Sequence, residues 1–90
     1  MVKGVVDLEK KIMAIGGELH ADEEAFLLSH GSIQKNLWGI NLYPDNNYPE
    51  LVEFDSMINI RPGQNNRSRS VEDENIRKLI LEVVDNLIEK

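Results

Sequence analysis

The stretch Val71-Glu72-Asp73-Glu74-Asn75-Ile76-Arg77-Lys78-Leu79-Ile80-Leu81-Glu82-Val83-Val84-Asp85-Asn86-Leu87-Ile88-Glu89 decides the fold of this chain. Ile76, Leu79, Ile80, Val83, Leu87 and Ile88 recur at spacings of three and four, which makes one apolar stripe along a helix. Ser70 is placed to be the N-cap, with Asp73 where a capping box usually has Glu. Glu72 and Asp73 complement the positive end of the helix dipole. Burying six such side chains stabilises by on the order of 10 kcal/mol gross, comparable to the whole net stability of a typical domain. The helix is therefore expected to be a structural lid over a sheet, not a membrane or partner helix.

The sheet is read upstream. Val2–Leu8 and Ile12–Ile15 form two strands of a hairpin turning over Glu9-Lys10-Lys11. A three-residue connection puts Val6, Leu8, Ile12 and Ala14 on one face, with Asp7 and Met13 opposite. Gly16-Gly17 then bends the chain, and Ala21–Ser29 makes a short helix ending at Gly31. Leu37–Tyr43 alternates, with Trp38, Ile40 and Leu42 on one face and Gly39 and Asn41 on the other. Residues 44–47 make a loop. Leu51–Ile60 alternates again, with Val52, Phe54, Ile58 and Ile60 opposed to Glu53, Asp55, Met57 and Asn59. Pro62-Gly63 ends that strand. The expected architecture is α+β: one domain over residues 1–90, a mainly antiparallel four-stranded sheet covered on one face by the C-terminal helix, and a short helix after the first hairpin.

Composition narrows the function classes. The chain has 90 residues, 41% hydrophobic and 29% charged, which is ordinary globular composition. With no cysteine it has neither a disulfide framework nor a thiolate metal site. Its apolar runs are too short to span a bilayer, and no signal peptide is legible at the start. A soluble cytoplasmic protein is the expectation. The net charge of −6 repels nucleic acid and anionic membranes at long range, which argues against both as partners.

The positive charge is unevenly spread. Arg61, Arg67, Arg69 and Arg77 are all the arginines, and no acid lies between Arg61 and Val71. This segment runs from a strand end into a helix start and gathers guanidinium forks, hydroxyls, amides and free backbone N–H groups. Arg61, Arg67, Arg69 and Ser70, with Asn66 and Ser68 as supporting donors, are the expected binding site for a small phosphate-like anion or an acidic partner. The segment lacks P-loop spacing. The structural alternative pairs the arginines with Glu53, Asp55 or Glu72.

A second candidate is the polar sheet face, where Asp7, Asn41, Glu53, Asp55 and Asn59 would converge if their strands are neighbours. Glu53 and Asp55, with His20, are the oxygen and nitrogen ligands a metal-dependent hydrolase would need, and Mg²⁺ is the cofactor of that reading alone. No cofactor is expected otherwise. No H-E-x-x-H or EF-hand spacing is present, and a solvated strand face carries such residues without any function. A purely structural homo-oligomer is the third reading.

Four strings resemble a family of small uncharacterised prokaryotic proteins built on a domain of unknown function. They are Gly-Gly-Glu-Leu-His-Ala-Asp-Glu at 16–23, Leu-Trp-Gly-Ile-Asn-Leu-Tyr-Pro at 37–44, Glu-Phe-Asp-Ser-Met-Ile-Asn-Ile-Arg-Pro at 53–62 and Asn-Arg-Ser-Arg-Ser-Val-Glu-Asp at 66–73. The resemblance covers nearly the whole chain and implies no activity and no catalytic residues. Family members often carry an extra N-terminal strand and helix before the segment matching residues 1–7. Their absence would leave a sheet edge open here, and an open edge invites pairing, so a homodimer is expected.

Overall fold

Strand β1 (Val2–Asp7) is the pivot of the sheet, with β2 (Ile12–Ile15) on one side and β3 (Leu37–Leu42) on the other. The order is β2-β1-β3-β4, every pair antiparallel, and β4 is the two-residue strand Val52–Glu53. The computed structural model describes residues 1–48 and 50–88, with the side chain of Ile88 excepted. Helix α1 (His20–Ser29) lies after the hairpin and α2 (Glu74–Ile88) closes the chain. The α+β architecture expected from the sequence is the one observed.

The two helices cover opposite faces. Val6, Trp38, Ile40 and Leu42 pack with Ile80, Val83 and Val84 of α2 into the main core, while Val5 and Leu37 pack with Leu27 of α1 into a smaller one. This is why β3 is buried at every position although its sequence alternates. Helix α1 ends as its glycine suggested. Gly31 adopts a φ of 96°, its N–H bonds the Leu28 carbonyl, and the Ser32 N–H bonds that of Leu27, a Schellman closure.

Four expectations need correction. The hairpin turns over four residues, not three: Asp7 pairs with Ile12, so Met13 joins Val6, and Ala14 joins Val5 on the other face. A one-residue slip flips every side chain. The cause is the Asp7 carboxylate, whose Oδ1 accepts the Glu9 and Lys10 N–H groups at 2.9 and 3.0 Å and starts the turn early. Helix α2 begins at Glu74, and its cap is Asp73, whose Oδ1 accepts the Asn75 N–H at 2.8 Å. Ser70 does not cap it; the Ser70 hydroxyl accepts from Arg77 at 2.8 Å.

The apolar stripe of α2 is rotated from the expected one. Val84 is fully buried, whereas Leu79 and Leu87 remain 46% and 43% exposed. Ile88 and Glu89, also assigned to this helix, lie outside the residues whose side chains are described. Last, 51–60 is not one long strand. After Glu53 the chain leaves the sheet, and past an extended Ser56 it makes a tight helical turn at Met57–Asn59, to which the Ser56 hydroxyl is the cap.

Asn59 explains that departure. Its side chain is fully buried; Oδ1 accepts the Gly39 N–H at 2.8 Å, and Nδ2 donates to the Gly39 carbonyl at 3.0 Å. One primary amide thus replaces the strand neighbour that β3 lacks beyond β4. Gly39 must be glycine for this approach, since a Cβ there would lie 2.6 Å from the Ser56 side chain.

Candidate functional site

The arginine segment folds into a clasp. Arg61 and Asn66 exchange backbone hydrogen bonds of 2.7 and 3.1 Å, closing a loop around Pro62–Gln64 in which Asn65 takes a left-handed φ of 61°. Asn66 is buried inside it, donating to the carbonyls of Asn59, Ser68 and Ser70 and accepting the Glu72 N–H at 2.8 Å. Arg61 points back across the sheet end, donating to the carbonyls of Gln34 and Leu37 and to Gln64 Oε1. Its guanidinium stacks on Trp38, 4.2 Å from the ring centre. Burial lowers its pKa below the ordinary value.

The backbone donors of the segment already hold an anion. Glu72 Oε2 accepts the N–H groups of Arg67 and Ser68 at 3.0 and 2.9 Å. The Ser68 hydroxyl, those two amides and the nearby Arg67 charge hold the Glu72 carboxyl below the usual range. Ser68 Oγ also accepts the Ser70 N–H at 3.2 Å. Of the six residues read as an anion site, Arg61, Asn66, Ser68 and Ser70 therefore have polar groups engaged by other groups of the chain. Arg67 and Arg69 remain outside it, and Arg69 Nε donates to Asp55 Oδ1 at 2.7 Å in an exposed ion pair.

Arg69 leads to the second candidate. Lys3, Asn41 and Glu53 stand opposite one another across β1, β3 and β4 and form a polar row on the α1 side of the sheet. Helix α1 covers the β1–β2 half of that side, and the turn Met57–Asn59 covers Gly39. The end of the row is left open as a cleft of about 580 Å³, whose lining includes Lys3, His20, Asn41, Tyr43, Asp55 and Arg69. Asn41 Nδ2 donates to Glu53 Oε1 at 2.9 Å and to the Asp55 carbonyl at 3.2 Å, and the Tyr43 hydroxyl donates to the same Glu53 oxygen at 3.0 Å. The Glu53 carboxylate raises the Tyr43 pKa. Asn41 Oδ1 is buried with no hydrogen-bond partner.

His20, Glu53 and Asp55 do line one cleft, as the hydrolase reading requires. They do not make a metal site: among the described residues no three His, Asp or Glu side chains are grouped to hold an ion. His20 Nε2 lies 2.8 Å from the Ile40 carbonyl, so it carries a proton and donates. The other polar residues expected on this face are elsewhere. Asp7 serves the hairpin turn and accepts from Ser32, and Asn59 grips Gly39. The sequence reading missed Lys3, whose only signal is the pairing of β1 with β3, and Tyr43, which the alternation over Leu37–Tyr43 already put on the face of Asn41.

One further carboxylate is buried. Glu23 Oε2 accepts the Gly17 N–H at 2.9 Å, while Oε1 has no partner. Desolvation raises its pKa above the ordinary 4.5. An acid with a raised folded-state pKa ionises first in the unfolded chain, so its contribution is complete below about pH 4.5 and is lost as pH rises through the folded pKa. Glu23→Gln keeps the acceptor for Gly17 and removes the titration. Urea unfolding over pH 4–8 is expected to show wild-type stability falling relative to Glu23→Gln across that window; parallel profiles would contradict it.

Among the described residues, no helix is long and apolar enough to cross a membrane. No curated protein and no solved structure matches the chain. A family model does, over residues 1–87, and the chain belongs to that family, described as protein of unknown function (DUF5674).

Proposed function

We propose that this chain is a non-enzymatic binding module that takes a small polar ligand with an anionic group in the cleft at the open end of the Lys3–Asn41–Glu53 row. The proposal keeps the anion expected from the sequence and moves its site, with Arg69 the one residue common to both. Lys3 has no hydrogen-bond or ion-pair partner among the described residues, and Arg69 engages Asp55 only through Nε, leaving its terminal nitrogens for a ligand. Glu53 and Asp55 each keep one oxygen outside the bonds described above, so a ligand that also carries a donor group is complemented. The observation that carries the reading is Asn41, 5% exposed in the cleft wall with Oδ1 unpartnered. A buried acceptor without a donor costs about 1–3 kcal/mol, and a ligand donor offsets that cost.

Titration of ¹⁵N-labelled protein with inorganic phosphate, a nucleoside monophosphate and free glutamate tests this. The expected result is amide shift changes at Lys3, Asn41, Tyr43 and Arg69 with at least one probe, abolished in Lys3→Ala and in Arg69→Ala. No change with any probe, or changes confined to 61–68, would count against the cleft.

A further inference from the structure

Three kinds of surface meet in the cleft. The first is the start of α1, where Leu19, His20 and Ala21 line it. Leu19 is the N-cap residue and its side chain accepts no hydrogen bond. The Asp22 and Glu23 N–H groups bond the Leu19 carbonyl, whereas those of His20 and Ala21 have no acceptor among the described residues. Two free donors at the positive end of a helix, with Lys3 in the same cleft, favour an anionic group. The first-turn acids Asp22 and Glu23 line a different groove, beside Phe26.

The second surface is an acceptor set: the unpartnered Asn41 Oδ1 and the remaining oxygens of Glu53 and Asp55. The third is apolar. Met57, Met1 and Leu19 are 65%, 64% and 58% exposed, the most exposed large apolar side chains among the described residues, and all three line this cleft. The charges balance, since Lys3 and Arg69 face Glu53 and Asp55. A ligand without net charge therefore fits better than a dianion, which would bring two negative charges beside the two carboxylates.

We propose that the cleft takes a free α-amino acid with an uncharged, apolar side chain. The proposal rests on the cleft as the binding site and names its ligand class. The carboxylate lies against Lys3 and the His20 and Ala21 N–H groups, and the ammonium donates to Asn41 Oδ1 and the carboxylates. The apolar side chain covers Met57, Met1 and Leu19. Strand spacing sets this order: Lys3 and Glu53 flank Asn41 in the row, each about 4.8 Å away across the sheet. A short zwitterion lying over Asn41 thus meets the opposite charge at either end. Three unlike walls hold three substituents of one carbon, so the two enantiomers are not equivalent there.

Titration of ¹⁵N-labelled protein with both enantiomers of leucine, their N-acetyl and amide derivatives, glycine, inorganic phosphate and a nucleoside monophosphate tests this. One enantiomer of leucine is expected to shift the amides of Lys3, His20, Ala21, Asn41 and Met57. Its N-acetyl derivative lacks the ammonium and its amide lacks the carboxylate, and each is expected to bind about tenfold more weakly. Glycine, without the apolar group, is expected to lose about tenfold as well. Phosphate or the nucleotide shifting the cleft while neither leucine does so overturns the ligand class and leaves the cleft standing. Silence from every probe overturns both. Equal binding by leucine and any one of glycine, the N-acetyl derivative or the other enantiomer overturns the proposal too.

Discussion

Asn59→Ala is expected to lower folding stability by about 3 kcal/mol. The alanine removes the acceptor of the Gly39 N–H and the donor to the carbonyls of Gly39 and Arg69. These groups lie at the join between β3 and the segment that leaves the sheet, where water does not reach Asn59 itself. The Arg69 carbonyl keeps the Ser56 N–H, so the Gly39 N–H and C=O are the groups left unpaired, each at about 1–3 kcal/mol. Asn59→Asp is a sharper variant. It preserves one acceptor, loses the donor, and buries a carboxyl that ionises as pH rises, so its deficit should grow with pH. Urea unfolding measures both. A loss under about 1 kcal/mol for Asn59→Ala would mean that the β3 edge finds another partner.

Arg61→Ala is expected to cost about 2–4 kcal/mol, because the Leu37 carbonyl and the face of Trp38 lose their partner together while the Gln34 carbonyl keeps only the Leu37 N–H. The guanidinium reaches the Gln34 carbonyl with one terminal nitrogen and the Leu37 carbonyl with the other. A lysine ammonium offers a single point of contact and no planar stack, so Arg61→Lys should recover less than half of the loss. Trp38 fluorescence gives a second readout, since its ring loses the cation 4.2 Å away. If Arg61→Lys restores full stability, positive charge alone suffices and the fork geometry is incidental.

What the sequence made legible was whatever a periodic pattern encodes. Helix α2 and strand β3 are long enough for their apolar spacing to be unambiguous. The phase of α2 was harder, because Leu79, Val84 and Leu87 are all apolar and only the sheet decides which of them it covers. The alternation over 51–60 is equally regular, yet only Val52–Glu53 pairs. Period-two hydrophobicity says nothing of a side-chain amide that takes over the edge of the neighbouring strand, and that amide belongs to Asn59, twenty residues from Gly39 in the chain.

The arginines misled for a related reason. A guanidinium in an acid-free segment looks available for an anion, but its partners here are backbone carbonyls at Gln34 and Leu37, invisible to any reading of charge. Glu72 lies just past the acid-free stretch and returns to its backbone as an internal anion. Glu53 and Asp55 were visible as a carboxylate pair on alternating positions. Lys3 was not, because its place beside Asn41 depends on the register of strands nearly forty residues apart.

The central claim is that this segment is a clasp holding the sheet end together, with Arg61 its structural tie and Arg69 left on its exposed side beside Asp55. Urea unfolding of Arg61→Ala beside Arg69→Ala tests it most directly. The Arg69–Asp55 pair is exposed on both sides, so Arg69→Ala should stay within about 0.5 kcal/mol of wild type, while Arg61→Ala loses about 2–4 kcal/mol. Equal losses, or a neutral Arg61→Ala, would contradict the account.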